Sequence, residues 1–228
     1  MQGQNMNSQR YIIGVCGFQS SGKDTVADYL VNSHGFRRLS FAGALKDAIS
    51  VIFSWDRELL EGKTAESRAW REQVDTWWAK KLDMPHLTPR WILQYWGTEV
   101  CRKAFHNNIW IKSVEYKLKT ISDNVVISDV RFPNEIESIK DSGGMIMRTR
   151  RGSDPVWYND ALTVNTVDKN DSSWSLSSER LNSHNIHSSE TAWIGTNFDH
   201  VLSNDGSIDD LYNEINQLLI RQDHPFSM

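Results

Sequence analysis

Cysteine is scarce in this chain of 228 residues: there are two, Cys16 and Cys101. One falls in an apolar, strand-like run and the other in a helix-like one. Neither a disulfide framework nor a cysteine metal site is expected, and a reducing cytoplasm is the expected compartment. Long hydrophobic runs are also missing. No segment is long enough to span a bilayer, and residues 1–9 are polar, without the apolar core of a signal peptide. No membrane partner is expected, and 1–9 reads as a disordered tail. Positive charge is not in excess either: 25 Lys and Arg against 29 Asp and Glu leave a net charge of −4. A surface for nucleic acid is therefore not expected. What is abundant is tryptophan, ten residues, several at helical spacing, read here as core or pocket-wall residues. The length suits one well-cored α/β domain with an insertion, spanning 10–228.

The most informative stretch is Gly17-Phe18-Gln19-Ser20-Ser21-Gly22-Lys23-Asp24-Thr25, which fits G-x-x-x-x-G-K. The apolar run from Tyr11 to Cys16 precedes it, and Val26 to Val31 reads as the first turns of a helix. Strand, glycine-rich loop and helix form the context of a phosphate-binding loop. Its glycines let the backbone turn sharply and approach an anion. The helix N-terminus then presents N–H groups and a favourable dipole, and Lys23 adds a mobile charge for the β- and γ-phosphates. The position after the lysine, commonly Ser or Thr facing Mg²⁺, is Asp24. Its carboxylate could hold the metal directly or through water, or it could only complement the helix terminus.

Strands are expected at 11–16, 38–42, 124–128, 145–148 and 198–202, alternating with helices at 23–33, 45–55, 57–81, 91–105, 110–120, 133–141 and 208–220. Thr88 and Pro89 mark a helix start, and Ser207 caps the last helix. Between Arg151 and His187 Ser, Asn, Asp and Thr dominate without a persistent period. Such a stretch, about 151–187, reads as a mobile lid or as disorder. Alternating strands and helices predict a parallel sheet covered on both faces, with ligands at the carboxyl ends of the strands. Gly17 to Lys23, Asp129 and Asn204 all fall there.

Val125 to Ser128 is an apolar strand ending in Asp129, followed by Arg131 and Glu135. Beside a phosphate-binding loop, a strand-terminal Asp helps to place Mg²⁺. The bland alternative is that Asp129 caps the next helix and pairs with Arg131. Transfer between two phosphates demands further cations, for which arginine's planar fork suits. Arg68, Arg90, Arg131, Arg148, Arg150 and Arg151 are candidates, and spacing does not rank them.

With these residues in view, the chain resembles the deoxynucleoside monophosphate kinases of T-even-type bacteriophages. The matching motifs are Ser21 to Thr25, Phe41 to Ala48, Glu61-Gly62 with Arg68, and Leu93 to Glu99. Trp110, Asp129-Val130-Arg131 with Glu135, Arg150, His187 to Glu190 and Ser203 to Ser207 follow in order. The resemblance implies a three-layer P-loop kinase fold: a five-stranded parallel sheet with helices on both faces, a helical acceptor-binding insertion at about 44–120 and a lid. It implies transfer of the γ-phosphoryl of ATP to a deoxynucleoside monophosphate, with Mg²⁺. ATP would meet Gly17, Ser20, Ser21, Gly22, Lys23, Asp24, Thr25, Arg150, Asn204 and Gly206. The acceptor would meet Arg68, Arg90, Gly97, Thr98, Trp110, Asp129, Arg131 and Glu135. Lys23, Arg68, Asp129 and Arg131 would act on the reacting phosphates, with Asp24 and Asp129 about the metal. Partners would be small nucleotides in a host cytoplasm, and a homodimer is compatible. Departures are Gln19 and Ser20, where the family carries basic residues, Trp91 in place of one of two arginines, and 153–183, without a counterpart. The rival readings are a kinase of another small acceptor, such as dephospho-coenzyme A, and a nucleotide-dependent switch with no acceptor.

Overall fold

The structure, a computed structural model, describes residues 10–223; the tail expected at 1–9 lies outside them. In chain order the elements are β1 (Ile12–Cys16), α1 (Lys23–His34), β2 (Arg37–Leu39), α2 (Gly43–Phe53), α3 (Arg57–Glu61), α4 (Ala65–Arg71), α5 (Thr76–Leu82) and α6 (Pro89–Gln94). A π-helix (Tyr95–Phe105), α7 (Ile109–Thr120), β3 (Val125–Ile127), α8 (Pro133–Asp141), β4 (Met145–Arg150) and α9 (Tyr158–Thr166) follow. The chain continues with α10 (Ser172–Ser183), α11 (Ser188–Thr191), β5 (His200–Ser203) and α12 (Ile208–Asp223). They form two compact units, residues 40–120 and the remainder.

The larger unit is built on one five-stranded sheet in the order β2-β3-β1-β4-β5, with every neighbouring pair parallel. β1 is central and wholly buried, which is why it reads as an unbroken apolar run rather than an alternating one. On one face Ile13, Val15, Val126, Met147 and Leu202 pack with Val26, Ala27 and Leu30 of α1 and Leu211, Ile215 and Leu218 of α12. On the other face α8 lies against β1 and β4, burying Ile136 and Ile139. The sheet is thus covered on both faces, as the alternating pattern implied. β1 and β3 end at the loop 17–22 and at Ser128-Asp129, so both motifs sit at carboxyl ends of strands.

The segment expected to be irregular is not. Residues 158–166 and 172–183 are helices α9 and α10. Serine costs a helix only about half a kcal/mol per residue, and a few tertiary contacts offset that. Asp171 caps α10 by accepting from the Ser173 N–H at 2.8 Å. Trp174 Nε1 donates to the Val164 carbonyl at 3.1 Å, and Arg180 pairs with Asp160 at 2.7 Å, tying α10 to α9. Ala161 and Ser177 are buried.

The smaller unit has its own core: Leu45, Ile49, Phe53, Leu60, Leu87 and Ile92, against which Trp70, Trp78, Trp96 and Trp110 pack, with Trp55 buried among them. The stretch 57–81, expected to be mostly helical, consists of three short helices. Gly62, at φ 68°, closes α3, Thr64 with Ser67 caps α4, and Asp75 caps α5 through the Trp77 and Trp78 N–H groups. The Thr88 cap and Pro89 start occur as expected, but from Tyr95 the ladder widens into a π-helix, ending with the His106 N–H on the Cys101 carbonyl at 2.9 Å.

In this unit Lys46 and Arg57 both bind Glu61, at 2.6 and 2.5 Å. Burial works against the charged carboxylate, but the hydrogen bond and charge of Lys46, then those of Arg57, hold its pKa down at about 2, against an ordinary 4.5. The stability this triad contributes is complete above pH 4.5 and is lost as pH falls through about 2. Urea unfolding from pH 6 to pH 2 is therefore expected to show a steeper acid loss in the parent than in Glu61→Gln; parallel losses would contradict the assignment.

Candidate active site

The loop between β1 and α1 is held in a conformation that only part of its sequence tolerates cheaply. Gly17 has φ 143°, and a Cβ there would lie 2.4 Å from the Thr149 carbonyl oxygen. Gly22, at φ 105°, would bring a Cβ to 2.4 Å from Asn204 Nδ2. Ser20 is also left-handed, at φ 64°. No side chain caps the N-terminus of α1, so the first-turn N–H groups face the loop without a protein acceptor from a cap. A hollow of about 220 Å³ opens there, lined by Ser20, Gly22, Lys23, Asp24, Thr25, Arg151 and Asn204.

Lys23 folds back over the loop. Its Nζ donates to the Gly17 and Phe18 carbonyls at 2.8 and 2.6 Å. Burial, and then the charge of Arg131, push its pKa below the ordinary lysine value, so the site favours an anion near this ammonium. Burial pushes the thiol of Cys16, at the end of β1, up to about 12, which disfavours the reactive thiolate.

Asn204 is brought to the loop as expected, but through its own hydrogen bond: Nδ2 donates to the Ser21 carbonyl at 3.0 Å. Asp205 accepts from the Gly152 N–H at 2.5 Å, and Ser207 exchanges hydrogen bonds with Asp210 at the start of α12. Gly206 is exposed. Arg151 lines the hollow, whereas Arg150 is exposed and turns back to the Gly152 carbonyl at 3.2 Å. Arg148 is buried among aromatic rings and paired with Asp154; it is not available to a phosphate.

Asp24 is largely exposed and pairs with Arg38. The same guanidinium binds Asp28 at 2.7 Å and Ser128 Oγ at 2.7 Å. Sequence reasoning missed Arg38: it sits on β2, and only sheet order β2-β3-β1 places it beside Ser128 and α1. Arg131 pairs with Glu190 at 2.5 Å and donates to Ser189 Oγ at 3.3 Å. Glu135 is buried. It accepts from the Arg131 and Phe132 N–H groups at 2.9 and 3.2 Å and thereby shapes the turn after Asp129.

In the smaller unit, Trp110 Nε1 donates to the Gly97 carbonyl at 3.0 Å, so these two come together; Thr98 is exposed. Arg68 is exposed, with Nη1 on the Lys63 carbonyl at 2.9 Å. Arg90 pairs with Glu72. Between them lies a residue the motifs did not single out, Arg71, packed over Gly62 with its Nε buried and without a hydrogen-bond partner. Burial, and then the charge of Arg90, lower its pKa, and Arg68 adds to the same effect. The i,i+3 spacing of Arg68 and Arg71 on α4 was the signal available in the sequence.

Fold and loop together define a phosphate-binding-loop protein of the α/β class. No family model matches the chain. A protein of Acanthamoeba polyphaga mimivirus assigned as a deoxynucleotide monophosphate kinase is 34% identical over 154 residues, 61% of this chain and 74% of its own. The deoxynucleoside-5'-monophosphate kinase of Escherichia phage T5 is 28% identical over 205 residues, 68% of this chain and 77% of its own. The chain belongs to the deoxynucleoside monophosphate kinase family. Among solved structures, a shikimate kinase from Aquifex aeolicus aligns over 92% of this chain and 97% of its own, at 12% identity and a TM-score of 0.44. That likeness is too remote to say anything of this chain's chemistry.

Proposed function

We propose that this chain transfers the γ-phosphoryl of ATP to a deoxynucleoside monophosphate, giving the diphosphate and ADP. The observation that carries it is the joint one of family membership and a phosphate-binding loop that holds Lys23 at the mouth of an open hollow. The loop N–H groups and Lys23 receive the ATP phosphates, Arg151 closes one wall, and Arg131 with Asp129 stands at the end of the neighbouring strand. Arg68, Arg71 and Arg90 of the smaller unit form the cationic cluster that suits the acceptor's phosphate. At neutral pH that phosphate is largely a dianion and already a nucleophile, so no general base is needed. Alignment and charge stabilisation do the work.

Among the described residues no group of three or more His, Cys, Asp or Glu could hold a cation unaided. This fits Mg²⁺, which keeps several waters and binds through one or two carboxylates together with substrate phosphates. Asp24 and Asp129 would hold it, and when bound it would neutralise charge on the ATP phosphates. Because Asp24 is shared with Arg38, Asp24→Asn tests whether it serves the metal or the helix. A metal role predicts that the Mg²⁺ concentration for half-maximal rate rises several-fold, and that Mg²⁺ enhances ADP binding less. An unchanged Mg²⁺ requirement leaves Asp24 as the partner of Arg38 only.

The function is tested by ADP release in a coupled assay across all deoxy- and ribonucleoside monophosphates. ADP is expected to appear only with a monophosphate, and deoxy forms to be accepted. Release with dephospho-coenzyme A alone would assign a different acceptor; slow release independent of any acceptor would make the chain a nucleotide-hydrolysing switch. Among the described residues no helix is long and apolar enough to cross a membrane.

A further inference from the structure

We infer that Phe18 is a positioning residue of the ATP loop, and that the aromatic cage around its ring couples this loop to the segment carrying α9 and α11. The inference rests on the reading that the loop binds ATP.

Phe18 is the second residue of the loop, and its two ends have different tasks. Its carbonyl accepts from Lys23 Nζ at 2.6 Å and from the Ser21 N–H at 3.2 Å. Its ring leaves the loop and meets Trp193 edge-on at 4.8 Å, Trp157 at 5.5 Å and Tyr158 at 6.2 Å between centroids. Arg148 completes the cage. Its guanidinium carbon lies 4.9 Å from the Tyr158 ring centroid, 5.3 Å from that of Trp193 and 5.9 Å from that of Phe18. It pairs with Asp154, and Nη1 donates to Tyr158 Oη at 3.0 Å. A buried cation is costly unless it is compensated. Here an ion pair, a phenol and three aromatic faces compensate most of it, and among its nitrogens Nε is buried without a hydrogen bond.

Gripping the ring therefore fixes the carbonyl that holds Lys23. Gly17 precedes this point, and a glycine backbone offers little resistance to reorganisation; the Phe18 side chain supplies the anchor. The gripping residues come from the α9 start and from Trp193 just past α11. The same stretch reaches the site a second time, where Ser189 and Glu190 hold Arg131. A displacement of α9–α11 is thus transmitted to the lysine through Phe18 and to Arg131 through Glu190.

The test is ATP binding to the full chain by calorimetry, without acceptor, with melting temperature followed in parallel. Phe18→Ala is expected to weaken ATP binding about tenfold, the scale of losing aromatic and cation–π pairs, with monophosphate binding essentially unchanged. Phe18→Tyr, which keeps the ring, is expected to restore most of the affinity. Trp157→Ala alters no loop residue, yet is expected to weaken ATP binding several-fold. The double variant is expected to bind no more weakly than Phe18→Ala, since a missing ring cannot be gripped. Parent-like ATP affinity in a folded Phe18→Ala, or additive effects in the double variant, overturns the coupling. Should Phe18→Ala not fold, Trp157→Ala decides: unchanged ATP affinity in it overturns the inference. Lys23→Met separates the two readings. If it weakens ATP binding while Phe18→Ala does not, only the coupling falls; if the parent binds no ATP, both fall.

Discussion

Lys23→Met is expected to lower kcat by about a hundredfold or more, the usual cost of removing a donor that stabilises charge in the transition state. The substitution keeps the length and apolar stem of the side chain and removes only the ammonium. This ammonium donates to the Gly17 and Phe18 carbonyls at 2.8 and 2.6 Å, which holds it within the loop. Burial disfavours its charge, so it gains more from an arriving phosphate than an exposed lysine would. Steady-state kinetics at saturating ATP and monophosphate, with the circular dichroism spectrum as control, check this. A folded variant with near-parent kcat would remove Lys23 from the chemistry.

Arg68→Ala and Arg71→Ala are each expected to raise the KM for the monophosphate by about ten- to a hundredfold, the range of one charge-assisted hydrogen bond lost to an anion. ATP binding should change little. Arg71 is the sharper test. Its Nε is buried without a hydrogen-bond partner, and burial first, then the charge of Arg90, lowers its pKa against the opposing charges of Glu72 and Glu61, so an arriving dianion would stabilise its charge. Arg68, by contrast, is exposed, with Nη1 on the Gly62 and Lys63 carbonyls. Lysine at either position is expected to rescue poorly, because the fork is lost. Equal weakening of ATP and monophosphate binding would show that these arginines act through stability rather than by contact with the acceptor. The two substitutions lie three residues apart on one helix, so their effects should not simply add.

Much of the larger unit was legible because its signals are local or periodic. Buried parallel strands appear as apolar runs, and the loop's glycines mark backbone that other residues adopt only with strain. In the smaller unit, Thr88-Pro89 likewise announces a helix start through caps that act within four residues. The helices within 151–187 leave little trace in the sequence because they rest on sparse tertiary contacts, Trp174 on Val164 and Arg180 on Asp160, rather than on an amphipathic period. The π-helix over 95–105 was likewise hidden, since its apolar positions serve an α-helix equally well at that length.

The sequence by itself determined the parallel α/β architecture, the phosphate-binding loop with Lys23, and the strand-end position of Asp129, because each depends on residues close together in the chain. Only the tertiary structure decided how charges are partnered. Arg38 comes to Asp24 from β2, Glu190 to Arg131 across 59 positions, and Asn204 to the Ser21 carbonyl across 183. It also decided that Arg148 is enclosed by rings rather than offered to phosphate, and that Glu135 braces the backbone N–H groups of Arg131 and Phe132. The physical reason is common to all of these. Hydrogen bonds and ion pairs act over a few ångströms of space, and sheet order, not sequence spacing, sets which side chains come that close.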